Sequence, residues 1–193
     1  MPDRKVAVLG VPTSAGSHHA GQDRAPAALR AAGFVSQLRE AGLDVTDVGD
    51  VPGVVFTPDA PDASARHLAT VVQVASGVAD AVATALAGQR LPVVLGGDCT
   101  ITLGVLAGLQ RHDPGAALIY FDGDADLGTP QTTSSGVLDA MGIAHLLGLA
   151  DTTRCPGSAR PGRCSPTSGW CWSATTRPTR RRTRPACWRP GPG

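Results

Sequence analysis

The last 43 residues of this chain, 151–193, contain no Leu, Ile, Val, Met or Phe. A segment without aliphatic side chains cannot present a packable helix or strand face, so any buried core has to come from residues 1–150. That length suffices for a sizeable core. Charge divides at the same place. Residues 1–150 carry eight Lys and Arg against fifteen Asp and Glu, whereas 151–193 carry nine Arg against one acid. Four of the five cysteines and all three tryptophans lie in the second segment. The expected organisation is one domain over 1–150, followed by an Arg/Pro/Cys/Trp-rich tail over 151–193 that is disordered or out of frame. The opening "MPDRKVAVLGVP" shows no h-region or cleavage site, and no apolar stretch reads as long enough to span a bilayer. A cytoplasmic protein with no membrane partner is the expectation.

Within residues 1–150 the pattern alternates between strand and helix. "KVAVLGVP" reads as a buried strand closed by Gly and Pro. "APAALRAAGFVSQLREAG" reads as a helix, with Pro26 near its start and Gly42 just beyond its end. "LDVTDVGDV" reads as a strand placed toward an edge by its acids. A long helix follows in "PDASARHLATVVQVASGVADAVATALAGQ", with Asp62 or Ser64 as its cap. "LPVVLGGD" is a third strand, "TITLGVLAGLQRH" a helix and "AALIYFD" a fourth strand, and "SGVLDAMGIAHLLGL" begins another helix. Continuous apolar strands alternating with helices predict an α/β fold: a three-layer parallel sheet with helices on both faces. Ligands of such sheets sit beyond the carboxyl ends of the strands.

Two motifs fall at such ends, "GGDC" (96–99) and "DGDAD" (122–126). Alternate residues of an extended chain point the same way, so Asp122, Asp124 and Asp126 would crowd one face. A solvated Asp/Gly-rich turn is one reading of that string. The other is a cation site. If the two strands are neighbours, Asp98, Cys99, Asp122, Asp124 and Asp126 converge. Clustered carboxylates suit Mg²⁺ or Mn²⁺, and a thiolate shifts the preference toward Zn²⁺. Without a cation, such crowding raises the pKa of one or more of the acids. His18 and His19, in the loop "SAGSHHAGQ", read as an exposed pair or a lid, and His145 as a packed, hydrogen-bonded side chain.

The ordered series "LGGDCTITLG", "YFDGDADLGTP" and "TTSSGVLDAMGIAHLLG", with Cys99 and Asp122 23 residues apart, resembles the arginase/agmatinase/formiminoglutamase ureohydrolases over about residues 5–150. The resemblance implies an arginase-like fold, here incomplete. It implies a hydrolase of non-peptide C–N bonds in linear amidines, a small guanidino or formimino substrate, and two Mn²⁺ ions. It places metal ligands at Cys99, Asp122, Asp124 and Asp126, with Cys99 and Asp124 standing where that family has His. Asp139 stands where arginases carry a His proposed as a proton shuttle. Ser135 matches a substrate-contacting serine, while Gly128 and Val137 replace polar residues. Two readings stay open: a divergent carboxylate-and-thiolate centre, or a decayed one. The family's remaining ligands come from a second half that this chain is not expected to contain, which points to weak activity or none. A non-catalytic remnant with a weak divalent-cation site is the alternative. Homo-oligomerisation is compatible with either.

"FDGDAD" is also similar to the Mg²⁺ loop of phosphohexomutases, but Leu127 replaces the Arg of that loop, and no phosphoserine loop accompanies it. The tail "RPTRRRTRP" can be read as a basic arm for nucleic acid. Arg, Pro, Thr, Ser, Cys, Trp and Gly without aliphatics is also what GC-rich coding DNA yields out of frame. One back-translation of residues 164–193, shifted by two nucleotides, reads LPDERVVLVGYDPTDPAEDAARLLAARPG, a strand, a turn and an amphipathic helix. A frameshift near residues 151–155 is the favoured reading, and nucleic acid the less favoured partner. A chain ending at Gly148 should therefore melt at the same temperature as the full chain, and proteolysis should trim the full chain to about that point. A protease-resistant tail, or clear destabilisation on truncation, would count against this division.

Overall fold

The structure, a computed structural model, describes residues 4–55, 57 and 64–149. The expectations for the tail and for Asp62 fall outside the described residues. Strand β1 (Lys5–Val11) is apolar and buried along its whole length except Lys5. It lies between β2 (Asp44–Asp50) and β3 (Leu91–Gly96) in a parallel sheet of order β2-β1-β3. β2 is an edge strand, as its acids suggested. Arg30 grips those acids: its Nε and Nη2 donate to the two carboxylate oxygens of Asp47 at 2.8 and 3.0 Å, and its Nη1 donates to Asp50.

Helices cover both faces. On one, Phe34, Val35 and Leu38 pack on Val6, Val8, Val45 and Leu95. On the other, Val74, Val78 and Val82 join Leu9, Val11 and Val51, with Ile101 and Val105 packed against them. The three-layer architecture is thus the expected one. The helix expected over residues 25–42 is two helices, α1 (Ala25–Ala31) and α2 (Phe34–Glu40). Gly33 separates them with φ of +86°, a left-handed conformation that ends a helix and that only Gly adopts freely.

Helix α3 (Leu68–Ala87) starts after Ser64, which therefore does not cap it. The residue before its first turn is His67, with φ of +55°. Contrary to the sequence expectation, α3 is long and apolar enough to cross a membrane. Its 20 residues include an 18-residue window of mean hydropathy 1.4. Here its apolar face packs on the sheet and on α4 (Ile101–His112). Gly104 and Gly108 let α3 and α4 approach closely. A β-carbon on Gly104 would lie 2.4 Å from the Ala75 carbonyl oxygen, and one on Gly108 2.7 Å from that of Ala79.

The fourth expected strand is absent from the sheet. Residues 116–121 belong to no ladder among the described residues, and Ile119 and Phe121 are 94% and 102% exposed. Their apolar run called for a parallel neighbour on each edge, and no described strand supplies one. Beyond them a loop leads to a 3₁₀ turn (Leu138–Met141) and α5 (Gly142–Leu146), shorter than the expected helix. Leu138 and Met141 pack with Ala15 and Val71, which seats the turn over the end of β1. Gly108→Leu should force α3 and α4 apart and cost about 1–3 kcal/mol, read as a lower urea midpoint. An unchanged midpoint would mean that the two helices are not in close contact.

Candidate metal centre

Three loops meet beyond the carboxyl ends of the strands: residues 13–17 after β1, 97–100 after β3, and 137–141. Asp98, 2% exposed, joins the first two. Its Oδ2 accepts the Gly16 N–H at 2.8 Å, and its Oδ1 accepts the Thr100 N–H at 3.1 Å and the Thr100 hydroxyl. The Gly16 carbonyl in turn accepts the Asp139 N–H at 3.0 Å, and Asp139 Oδ1 accepts the Cys99 N–H at 2.7 Å. Burial pushes the Asp98 carboxyl above its ordinary value, against the opposing hydrogen bonds of Thr100 and Gly16. Asp139 is also raised, first by burial and then by the charge of Asp98.

The ligand atoms of Cys99, Asp122 and Asp126 lie within 4.8 Å of one another. Cys99 Sγ is 3.8 Å from Asp122 Oδ2. Burial, and after it the charge of Asp139, pushes the thiol up to about 12. Asp126 is 5% exposed with φ of +48°; it accepts the Tyr120 hydroxyl through its side chain and the Ala144 N–H at 3.0 Å through its carbonyl. Burial raises its carboxyl despite Tyr120, and the charges of Asp122 and Asp124 add to the rise. Asp122 is exposed and is lowered, mainly by the Asp124 N–H that it accepts at 3.1 Å.

Two of the convergent acids are not in this cluster. The chain bends at Gly123 and Asp124 instead of continuing extended, so alternation no longer holds Asp124 beside its neighbours. Its Oδ1 accepts the Ala125 N–H at 2.6 Å. Asp98 is committed to the loops, and β3 and residues 116–121 are not the neighbouring strands that its inclusion assumed. Ser135 belongs to a turn, its Oγ accepting the Val137 N–H at 3.3 Å and lying 3.4 Å from Thr133 Oγ1. His145 Nδ1 sits 2.7 Å from the Met141 carbonyl oxygen, a packed histidine as expected. His18 and His19 are exposed. Tyr120 escaped the sequence reading because it was counted as part of an apolar strand. It is the only tyrosine in the chain, two residues before Asp122.

A parallel α/β/α sheet with a thiol and two carboxylates past its strand ends defines the class: an α/β protein with its candidate site where such sheets bind ligands. The chain belongs to the Arginase family, whose pattern matches residues 4–160. It is 33% identical over 148 residues to the arginase of Bacillus caldovelox, covering 76% of this chain and 50% of that protein. With arginase-1 of Homo sapiens it shares 33% identity over 144 residues, 75% of this chain and 45% of that one. It also superposes on the native crystal structure of the Bacillus caldovelox arginase at pH 5.6 with a TM-score of 0.68 and 32% identity, covering 75% of this chain and 49% of that one. The chain spans about half the length of the curated relatives it matches.

A carboxyl raised on folding binds a proton that the unfolded chain releases. Its contribution to stability is therefore largest in acid and is lost as pH rises through the raised value. Asp98→Asn should flatten the fall in unfolding free energy from about pH 4 upward, measured by urea melts of the metal-free chain. An unchanged slope would remove Asp98 as a source of it.

Proposed function

We propose that this chain carries the N-terminal part of a metallohydrolase centre of the arginase family, one suited to C–N bonds of linear guanidino or formimino compounds. The observation that carries this reading is the meeting of Cys99, Asp122 and Asp126 within 4.8 Å beyond the strand ends of a family member. Two carboxylates and a thiol fit a divalent cation, and these three residues would hold it. A cation bound there would supply a nucleophile by lowering the pKa of water. The resemblance also names Asp124 as a ligand; its Oδ1 accepts the Ala125 N–H, and it would have to turn toward the other three to join them. Mn²⁺ is the family's metal, with Mg²⁺ and Zn²⁺ as the other candidates for this donor set.

The surrounding side chains have positioning roles. Tyr120 donates its hydroxyl to Asp126 and so orients one ligand. Asp139 holds the loop of another through the Cys99 N–H at 2.7 Å. Burial also makes the Asp139 carboxyl hold a proton more readily than an exposed one, which suits the proton-transfer role that the resemblance implies for it. Ser135 is the candidate substrate contact. The substrate is a small amidine, the location cytoplasmic, and a homo-oligomer compatible with both; the tail after about residue 150 is read as out of frame.

A second reading, a cation-binding module without catalysis, is favoured by one fact: β3 has no outer neighbour among the described residues. Calorimetric titration with Mn²⁺ should give heat for the chain and none for the double variant Asp122→Asn, Asp126→Asn. Equal heats would refute the centre. In a chimera carrying the second half of the Bacillus caldovelox arginase, the same pair of changes should abolish metal-dependent release of urea from arginine. A chimera that binds the cation but releases no urea would favour the binding module.

A further inference from the structure

We infer that Cys99 retunes this centre away from Mn²⁺ and toward a thiophilic divalent cation of the Zn²⁺ class. The inference rests on the reading above that Cys99, Asp122 and Asp126 form the cation site. The donor set is one sulfur and two carboxylates within 4.8 Å, with Sγ 3.8 Å from Asp122 Oδ2. It disagrees with what the family's metal asks for. Mn²⁺ is well served by carboxylate and imidazole and poorly by thiolate, whereas Zn²⁺ takes all three. Among the described residues no imidazole joins the cluster: Cys99 and Asp124 stand at both positions where the resemblance has His. Asp124 lies outside the cluster, its Oδ1 accepting the Ala125 N–H at 2.6 Å.

The backbone that carries the sulfur is held in place. The Cys99 N–H is fixed by Asp139 at 2.7 Å, and Asp139 is fixed through its own N–H to Gly16. That backbone anchor sets where the side chain starts, and Sγ lies 3.8 Å from Asp122 Oδ2. On binding, the S–H bond is replaced by a sulfur–cation bond and the proton passes to solvent, with no change of oxidation state. Most donor sets favour Zn²⁺ over Mn²⁺ to some degree. What the sulfur adds is a preference that disappears when the sulfur is removed.

The test uses the full chain and Co²⁺ as a spectroscopic probe, with Zn²⁺ and Mn²⁺ as competitors. The wild-type chain should show a near-ultraviolet thiolate-to-Co²⁺ charge-transfer band that Cys99→Ser lacks. Cysteines 155, 164, 171 and 187 are present in both proteins, so the difference between them belongs to Cys99. Cys99→Ser should weaken Zn²⁺ binding by about tenfold or more and change Mn²⁺ binding by less than about twofold. A second measurement needs no variant: Zn²⁺, but not Mn²⁺, should protect Cys99 from alkylation by iodoacetamide, read by peptide mass mapping. If cations bind while the band is missing and Cys99 is alkylated at an unchanged rate, the retuning is overturned and an all-carboxylate centre stands. If no cation binds at all, the retuning and the metallohydrolase reading fall together.

Discussion

The buried carboxylate of Asp98 ties the ends of β1 and β3 to each other, and the rest of the candidate centre is assembled on that tie. At 2% exposure the group has almost no water, and the three donors from Gly16 and Thr100 that surround it only partly offset the rise that burial imposes on its carboxyl. Hydrogen bonds to a charged group are worth about 1.5–3 kcal/mol each, and losing one partner in a dry site exposes the other to a comparable penalty. The tie continues outward. Gly16 passes from Asp98 to the Asp139 N–H, and Asp139 passes to the Cys99 N–H. Three hydrogen bonds and the peptide link between Asp98 and Cys99 thus close a ring through three segments that are far apart in sequence.

The three aspartates of "DGDAD" coexist by occupying different environments. Asp122 stays in water and is steadied by the Asp124 N–H. Asp126 turns inward through a left-handed backbone and is met by the Tyr120 hydroxyl. Asp124 takes the bend. Repulsion among like charges is relieved by spreading them over surface, turn and interior, and only two of the three remain beside the Cys99 thiol. Asp126 still bears part of the strain as a raised carboxyl, and this is where an added cation would have most effect.

The fold was legible where hydrophobic period and punctuation agree. β1, β3 and α4 are continuous apolar or amphipathic runs with clear ends, and the acids of β2 marked it as an edge. At two places a single local feature overrides the period. Gly33 splits an apparently continuous helix, and the bend at Gly123 and Asp124 breaks the alternation from which three same-facing carboxylates were inferred. A pattern also describes a segment without its neighbours: "AALIY" has strand composition, yet pairing depends on strands that no described residue provides. In the centre, Cys99, Asp122 and Asp126 could be named from motif order, whereas Tyr120 and the loop-tying role of Asp98 depend on contacts across the fold. The assignment of Asp98 to the convergent acids assumed neighbouring strands, and its burial makes it a brace instead.

The bare segment at 116–121 has a consequence for the life of the chain in a cell. It displays Leu118, Ile119, Tyr120 and Phe121 in succession without a charge or a proline among them, two of these almost fully in water. Among the described residues no strand pairs with it on either side, and short uncharged apolar stretches of that kind are what folding chaperones hold and what other strands recruit. Exposed apolar stretches of this kind make association between chains depend on concentration. The acids that follow this segment, at 122, 124 and 126, act as gatekeepers at one end only.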